Sequence, residues 1–279
     1  MSLKQAISIS RHLLSDALKL SGISIKNCFR SASTHFGFEE VDEDEKAKKV
    51  ASVFTGVAEK YDLMNDAMSL GIHRLWKDYY IYQLNPNPNT EMLDIAGGTG
   101  DIAFRALRRI QKREGKGSVT VFDINQEMLE VGKHRAESSS EADLKRLKWI
   151  HGDAESMPFN ENSFDLCTMA FGIRNCTHID KVLTEAYRVL RPGGRFSCLE
   201  FSRITPSLKL FYDFYSFQII PVMGQVIAGD YDSYRYLVES IRRFPDQEKF
   251  ASMFRHAGFK DVGYENLTFG ICAIHTGYK

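Results

Sequence analysis

The feature that most narrows the fold is a series of short apolar runs: EMLDI (91–95), SVTVF (118–122), LKWI (147–150), FDLCTM (164–169) and RFSCLEF (195–201). Each has the length and composition of a strand buried on both faces. Between the last two, KVLTEAYRVL (181–190) sets Val182, Leu183, Ala186, Val189 and Leu190 along one side of a helix, and RPGG stops it. Repeated strand–helix units predict an α/β protein with a doubly wound, mostly parallel sheet. After a helix over PDQEKFASMFRHAG (245–258), the runs KDVGYENL and GICAIHTG are close enough to pair as an antiparallel hairpin at the sheet edge. Ahead of the first strand, Val50, Val53, Phe54 and Val57 mark one helix face, and HRLWKDYYIYQL (73–84) forms a second helix ending at NPNPN. These read as a helical cap, entered through the acidic run EEVDEDEK (39–46) as a linker.

The chemistry gathers at the ends of the strands. EMLDI runs into DIAGGTGD (94–101), and the glycines there let a backbone approach a ligand while the following helix N-terminus favours negative charge. Gly98-x-Gly100-x-x-Ala103 satisfies the dinucleotide pattern, which nicotinamide, flavin and S-adenosyl-L-methionine (AdoMet) folds share. Asp123 ends the second strand, where an acid accepts both ribose hydroxyls of an adenosine ligand without choosing among these cofactors. The third strand ends in HGDAESMPF (151–159), in which Asp153 can accept from an adenine amino group and the Ala154 N–H can face a ring nitrogen.

Charge and cysteine exclude other classes. Lys+Arg and Asp+Glu both number 36, so the basic field of a nucleic-acid binder is missing. Residues 1–35, however, carry Lys4, Arg11, Lys19, Lys26 and Arg30 against Asp16 alone and are rich in Ser, as in an organelle transit peptide. The five cysteines form no C-x-x-C pair and no Cys/His metal spacing, so no metal is expected and the thiols suit a reducing interior.

VFTGVAEKYDLMNDAMSLGIHRLWK, DIAGGTGD, DAESMPF, FGIRN, LEFS, AGDYDSYRYLVESIRRFPDQEKF and NLTFGICAIHTGYK together closely resemble the C-methyltransferases of ubiquinone and menaquinone biosynthesis, from roughly position 50 to 279. The resemblance implies a class I AdoMet-dependent methyltransferase. Its parts are a leader (1–35), a linker and N-terminal helical cap (36–89), and an AdoMet-binding domain (90–279) with a substrate-covering insertion (206–244). It implies that Gly97, Gly98, Thr99 and Gly100 face the methionyl part of AdoMet, that Asp123 holds the ribose and Asp153 with Ala154 the adenine, and that Tyr61 caps the cofactor. Ala96 stands where many methyltransferases have glycine, a change the quinone-pathway family tolerates. With the leader, the resemblance implies a mitochondrial enzyme, peripheral on the matrix side of the inner membrane, that acts on a polyprenyl benzoquinol in company with other ubiquinone-biosynthesis proteins.

The aromatic stretch FYDFYSFQIIPVMG (211–224) fits that reading. It is too short and too polar for a membrane span, which needs roughly 20 apolar residues, and a prenylated ring calls for an apolar, aromatic site. Phe211, Phe214, Phe217 and Ile220, three apart, are the expected pocket wall; packing in the core is the alternative for the same pattern. C-methylation needs a ring hydroxyl to lose its proton, so a base or a phenolate-stabilising cation is required. Arg174, Asp230, Asp232, Tyr234 and His73 are the candidates, with Arg174, Asp232 and Tyr234 foremost and Arg174 as a stabiliser. An NAD-dependent oxidoreductase and a scaffold subunit retaining the AdoMet fold are the rival functions. Asp153-Ala154 speaks against the first, and the intact loop against loss of binding in the second.

Overall fold

The computed structural model describes residues 33–57, 61–139 and 146–279. The expected transit peptide lies outside the described residues except for its last three, which are part of a strand. That strand, β1 (Ser33–Phe36), pairs antiparallel with β2 (Glu39–Asp42). The hairpin is anchored where Phe38 N–H donates to Glu239 at 2.9 Å and Phe36 stacks on Tyr236 at 3.9 Å. The acidic run therefore folds rather than linking. Its first half is β2, and Glu43, Asp44 and Glu45 form the first turn of α1 (Glu43–Val57), where the helix dipole favours negative charge.

The helices α2 (Tyr61–Ser69) and α3 (Ile72–Leu84) lead into a seven-stranded sheet of order β5-β4-β3-β6-β7-β9-β8. Strands β3 (Glu91–Ile95), β4 (Ser118–Asp123), β5 (Leu147–His151), β6 (Phe164–Ala170) and β7 (Leu190–Phe201) are parallel. At the edge, β8 (Lys260–Leu267) and β9 (Cys272–Tyr278) form the antiparallel hairpin, with β9 beside β7. Pleating sends Met92 to one layer and Leu93 and Ile95 to the other. The first layer holds α3 and α4 (Asp101–Gln111) with Leu129 of α5 (Gln126–Ser138). The second holds α6 (Ile179–Val189) and, later in the sequence, the helix Gln247–His256.

The insertion after β7 is helical throughout: α7 (Lys209–Phe214), a π-turn (Tyr215–Ile219), α8 (Ile220–Ala228) and α9 (Tyr231–Arg243), with Gln247–His256 following as α10. Pro221 has no N–H and its ring crowds the carbonyl four residues back, which accounts for the widened turn just before it. Met64 of α2 packs with Ile220, Tyr234 and Val238, so the N-terminal cap and the insertion close into one small lobe. Close contact there depends on Gly224, since a Cβ at that position would lie 2.2 Å from the Tyr234 ring. Among the described residues, no helix is long and apolar enough to cross a membrane.

Candidate active site

Strand β3 has β4 on one side and β6 on the other, so the backbone leaves the sheet in opposite directions and opens a crevice at its C-terminal end. The glycine loop fills this point. Ala96, Gly98 and Gly100 have φ of 51°, 53° and 83°, a left-handed path that Ala96 follows at a steric cost the glycines avoid. Gly100 also lacks room for a side chain, because a Cβ would stand 2.7 Å from the Trp149 ring. The result is a cavity of about 120 Å³ whose polar lining comes from Asp94, Thr99, Asp123 and Asn175 beside the backbone of Gly97 and Gly98.

Its two acids are prepared differently. Asp123 accepts the Gly98 N–H through Oδ2 and the Asn125 N–H through Oδ1, both at 2.8 Å, which ties the end of β4 to the loop. Burial raises its pKa, and the two backbone donors hold part of that rise back. Asp94 is 1% exposed; its Oδ1 accepts from Thr168 at 2.8 Å, while Oδ2 has no partner among the described residues. Burial lifts the Asp94 carboxyl to about 7. An unpartnered carboxylate oxygen in a cavity suits a cation, and AdoMet carries one in its α-ammonium group. Asp123 remains open to ribose hydroxyls, so the residues present fit this cofactor. The Gly152 N–H donates to the Asp123 carbonyl at 3.0 Å, which sets the Asp153-Ala154 turn beside Asp123. Asp153 is exposed and Ala154 half-buried; neither lines the 120 Å³ cavity.

Lys77 and Phe171 border this cavity and also a second one of about 430 Å³. Lys77 is buried and paired with Asp101 at 2.8 Å. The larger cavity is walled by aromatic and apolar side chains of the cap and insertion, Trp76, Phe201, Tyr212, Tyr215, Ile220 and Tyr236 among them. Its polar groups are few. Arg174 pairs with Glu200 at 2.9 Å, both nearly fully buried, and lies over the Phe201 ring at 5.3 Å. Its Nε is buried without a partner among the described residues. Burial raises the pKa of Glu200, against which the Arg174 guanidinium pulls. His73 enters from α3, hydrogen-bonded through Nε2 to Asp66 at 2.8 Å.

The structure thus brings Gly97, Gly98, Thr99 and Asp123 to one cavity, and Arg174, Tyr234, Phe211 and Ile220 to its neighbour. Gly100 closes the loop as the residue preceding α4. It leaves others apart. Asp232 is exposed in the first turn of α9 and off the lining, and Asp230 caps that helix by accepting the Ser233 N–H at 2.9 Å. Phe214 is 61% exposed, while Phe217 packs against Phe38 at 6.3 Å and under Arg242 at 5.4 Å. Spacing by three does not keep all four on one wall: three residues fall roughly 60° short of a full turn, and the π-turn adds a further shift before Ile220. The Tyr61 side chain lies outside the described residues. Motif reading misses Asp94, Lys77, Phe171, Asn175 and Glu200. The available signal for three of them is a charge set inside an apolar run, as in EMLDI, LWKDYY and SCLEF.

Solved structures share the fold. A SAM-dependent methyltransferase from Thermotoga maritima, described as a possible histamine N-methyltransferase, matches with TM-score 0.56 over 82% of this chain and 98% of its own, at 18% identity. Haemonchus contortus phosphoethanolamine N-methyltransferase 2, in complex with phosphomonomethylethanolamine and S-adenosylhomocysteine, matches with TM-score 0.51 over 72% of this chain and 52% of its own, at 18% identity. Fold and crevice define an AdoMet-dependent methyltransferase of class I. Residues 42–279 match the ubiE/COQ5 methyltransferase family, and the chain belongs to it. Relatives named mitochondrial 2-methoxy-6-polyprenyl-1,4-benzoquinol methylase include one from Caenorhabditis elegans, 58% identical over 88% of this chain and 85% of that protein. Another, from Drosophila melanogaster, is 52% identical over 99% of this chain and 92% of its own.

Proposed function

We propose that this protein methylates a ring carbon of a polyprenyl methoxy-benzoquinol in ubiquinone biosynthesis, with AdoMet as methyl donor. The observation that carries the reading is the apolar, aromatic cavity of about 430 Å³ next to the glycine-loop crevice, with Lys77 and Phe171 lining both. The names of the relatives fit it. Bound AdoMet supplies an already activated methyl group on a sulfonium, so the protein's work is positioning and charge control.

Asp94 would take the ammonium of the cofactor, Asp123 the ribose, and the Asp153-Ala154 turn the adenine. In the larger cavity, the aromatic walls would hold the ring with the first part of its tail. Arg174 is fixed by Glu200 with its buried Nε free among the described residues, which suits a donor to a quinol oxygen as negative charge develops there. Tyr234 and Tyr236 shape the wall, and burial lifts the Tyr236 hydroxyl to about 12, so it stays protonated. Import into mitochondria through residues 1–35, contact with the matrix face of the inner membrane and assembly with other enzymes of the pathway complete the proposal.

The test is methyl transfer from labelled AdoMet to a short-tailed 2-methoxy-6-prenyl-1,4-benzoquinol kept reduced. Arg174→Met should lower kcat by roughly 10²–10³-fold, the scale of one lost charge-stabilising donor, while the calorimetric affinity for AdoMet stays within threefold. A parent protein that binds AdoMet and leaves the quinol unmethylated would refute the substrate.

A further inference from the structure

We propose that His73, held by Asp66, is the general base that takes the proton from a ring hydroxyl of the quinol. The proposal deepens the quinol-methylating reading and rests on it. His73 Nε2 lies 2.8 Å from Asp66 Oδ1, and a carboxylate can only accept, so Nε2 carries the hydrogen. Asp66 is itself gripped by Arg74, through Nε at 2.6 Å and Nη2 at 2.7 Å. Those contacts, Arg74 first and His73 second, hold its carboxyl well below the usual range and keep it ionised. The tautomer is therefore set, and Nδ1 is left with a lone pair.

That nitrogen is the informative atom. His73 is 6% exposed, lines both the larger cavity and an arginine-rich cleft against α4 and α5, and its Nδ1 is buried without a partner among the described residues. A buried acceptor with nothing to accept from is the exception in folded proteins and calls for a donor that arrives from outside. Position supports the same conclusion. Lys77, which borders both cavities, follows His73 by one helical turn, a rise of about 5.4–6 Å. His73 thus sits one turn from a wall that the two cavities share.

The charged groups around His73 are Asp66 on α2, Arg74 and Lys77 on α3, Asp101, Arg105 and Arg108 on α4, Arg135 on α5, and Arg174 across the cavity. Burial, then the Lys77 ammonium, lowers the His73 pKa below its ordinary 6.5, with Asp66 opposing. The imidazole is neutral at pH 7 and ready to accept. In the step itself the quinol O–H bond breaks and its electron pair stays on oxygen, spreading to the ring carbons ortho and para to it. The proton forms an N–H bond at Nδ1. Once the methylated ring has lost its C–H proton to water, the proton on Nδ1 returns to the oxygen.

The experiment compares the full-length parent, His73→Gln and Asp66→Asn with AdoMet and a short-tailed quinol. We expect kcat in His73→Gln to fall by roughly 10²–10³-fold, with KM and the calorimetric Kd for AdoMet within threefold. At saturating AdoMet, the parent kcat/KM for the quinol should drop with unit slope on the acid side, below pH 6.5, and this limb should vanish in His73→Gln. Asp66→Asn, which removes a positioning residue, should lose less rate and regain part of it in Asp66→Glu. A His73→Gln rate within threefold of the parent, or equal losses in rate and AdoMet affinity, would overturn the proposal. Should the variant fail to fold, ¹⁵N imidazole spectra of the parent at pH 7.5 decide: a bare Nδ1 with protonated Nε2 supports the assignment, and the opposite tautomer ends it. Failure of the quinol reading looks different, as an AdoMet-binding parent with no activity at all.

Discussion

At the residue scale, a buried acid lines the proposed cofactor site. Asp94 titrates near 7 because burial penalises its charged form, with Asp101 and Asp123 adding to the rise. Its folded pKa lies above the ordinary 3.8, so it favours the native state of the ligand-free protein at low pH. That contribution is lost as pH climbs from about 4 to about 7, on the order of a few kcal/mol. On the proposed assignment, binding reverses the preference, since an ammonium group on AdoMet would need the carboxylate. AdoMet affinity should therefore fall by up to tenfold per unit as pH drops below 7, Asp123 acting in the same direction. Calorimetry at pH 6 and pH 8 measures this, and Asp94→Asn should bind more weakly at pH 8 and show a flatter pH dependence. Equal affinities at the two pH values in the parent would break the link between Asp94 and the ammonium. Gly98, Thr99 and Asp123 are readable from sequence because loop and strand-end motifs have fixed spacing. Asp94 is harder to read, since an acid in EMLDI shows its role only when Thr168 on the neighbouring strand is seen to occupy one oxygen and leave the other.

At the element scale, the parallel strands and the terminal hairpin are legible because continuous apolar runs of strand length have few other uses. The insertion is legible as aromatic and helical, though its phase is not. A π-turn adds a residue to the turn, so a period counted across Tyr215–Ile219 drifts off its face. The acidic run 39–46 misleads for a related reason. Charges suggest a solvated linker, while pairing with β1 and the start of α1 depend on partners distant in sequence, such as Glu239. The phase error yields a test between neighbours in one segment. Phe211 and Ile220 line the cavity and Phe214 does not. Ile220→Ala should raise KM for a prenylated quinol, by about 2–3 kcal/mol of lost apolar contact and cavity formation at most, and should also lower Tm, because Ile220 packs on Met64 and Tyr234. Phe211→Ala, at a more exposed position, should raise KM with little change in Tm. Phe214→Ala should alter neither in detergent-free buffer. A KM effect of Phe214→Ala as large as that of Phe211→Ala would return Phe214 to the wall.

On the scale of the whole molecule, a cavity of about 430 Å³ lies within the range of drug-sized ligand pockets, so it suits a ring and the first part of a tail. The rest of a polyprenyl tail needs an apolar environment outside. The surface offers one, since the segment that walls the cavity also exposes Leu210 (86%), Phe211 (75%), Phe214 (61%) and Val226 (79%), and Leu70 (84%) lies on the cavity lining. Formal net charge is zero, so attraction to anionic lipid would not dominate binding. Under the proposed function, peripheral, apolar contact with a bilayer would let a long-tailed quinol pass its head into the cavity with the tail still in lipid. The triple variant Leu210→Asp, Phe214→Asp, Val226→Asp should therefore lose flotation with phosphatidylcholine vesicles by at least roughly tenfold, at about 1.4 kcal/mol or more for three apolar side chains. Activity on a short-tailed quinol in solution should stay within twofold, because none of the three lines the cavity. Methylation of a long-tailed quinol embedded in vesicles should fall in step with binding. Binding by the parent that disappears in high salt, or a triple variant that still methylates the embedded quinol at the parent rate, would show that the tail is delivered by another route.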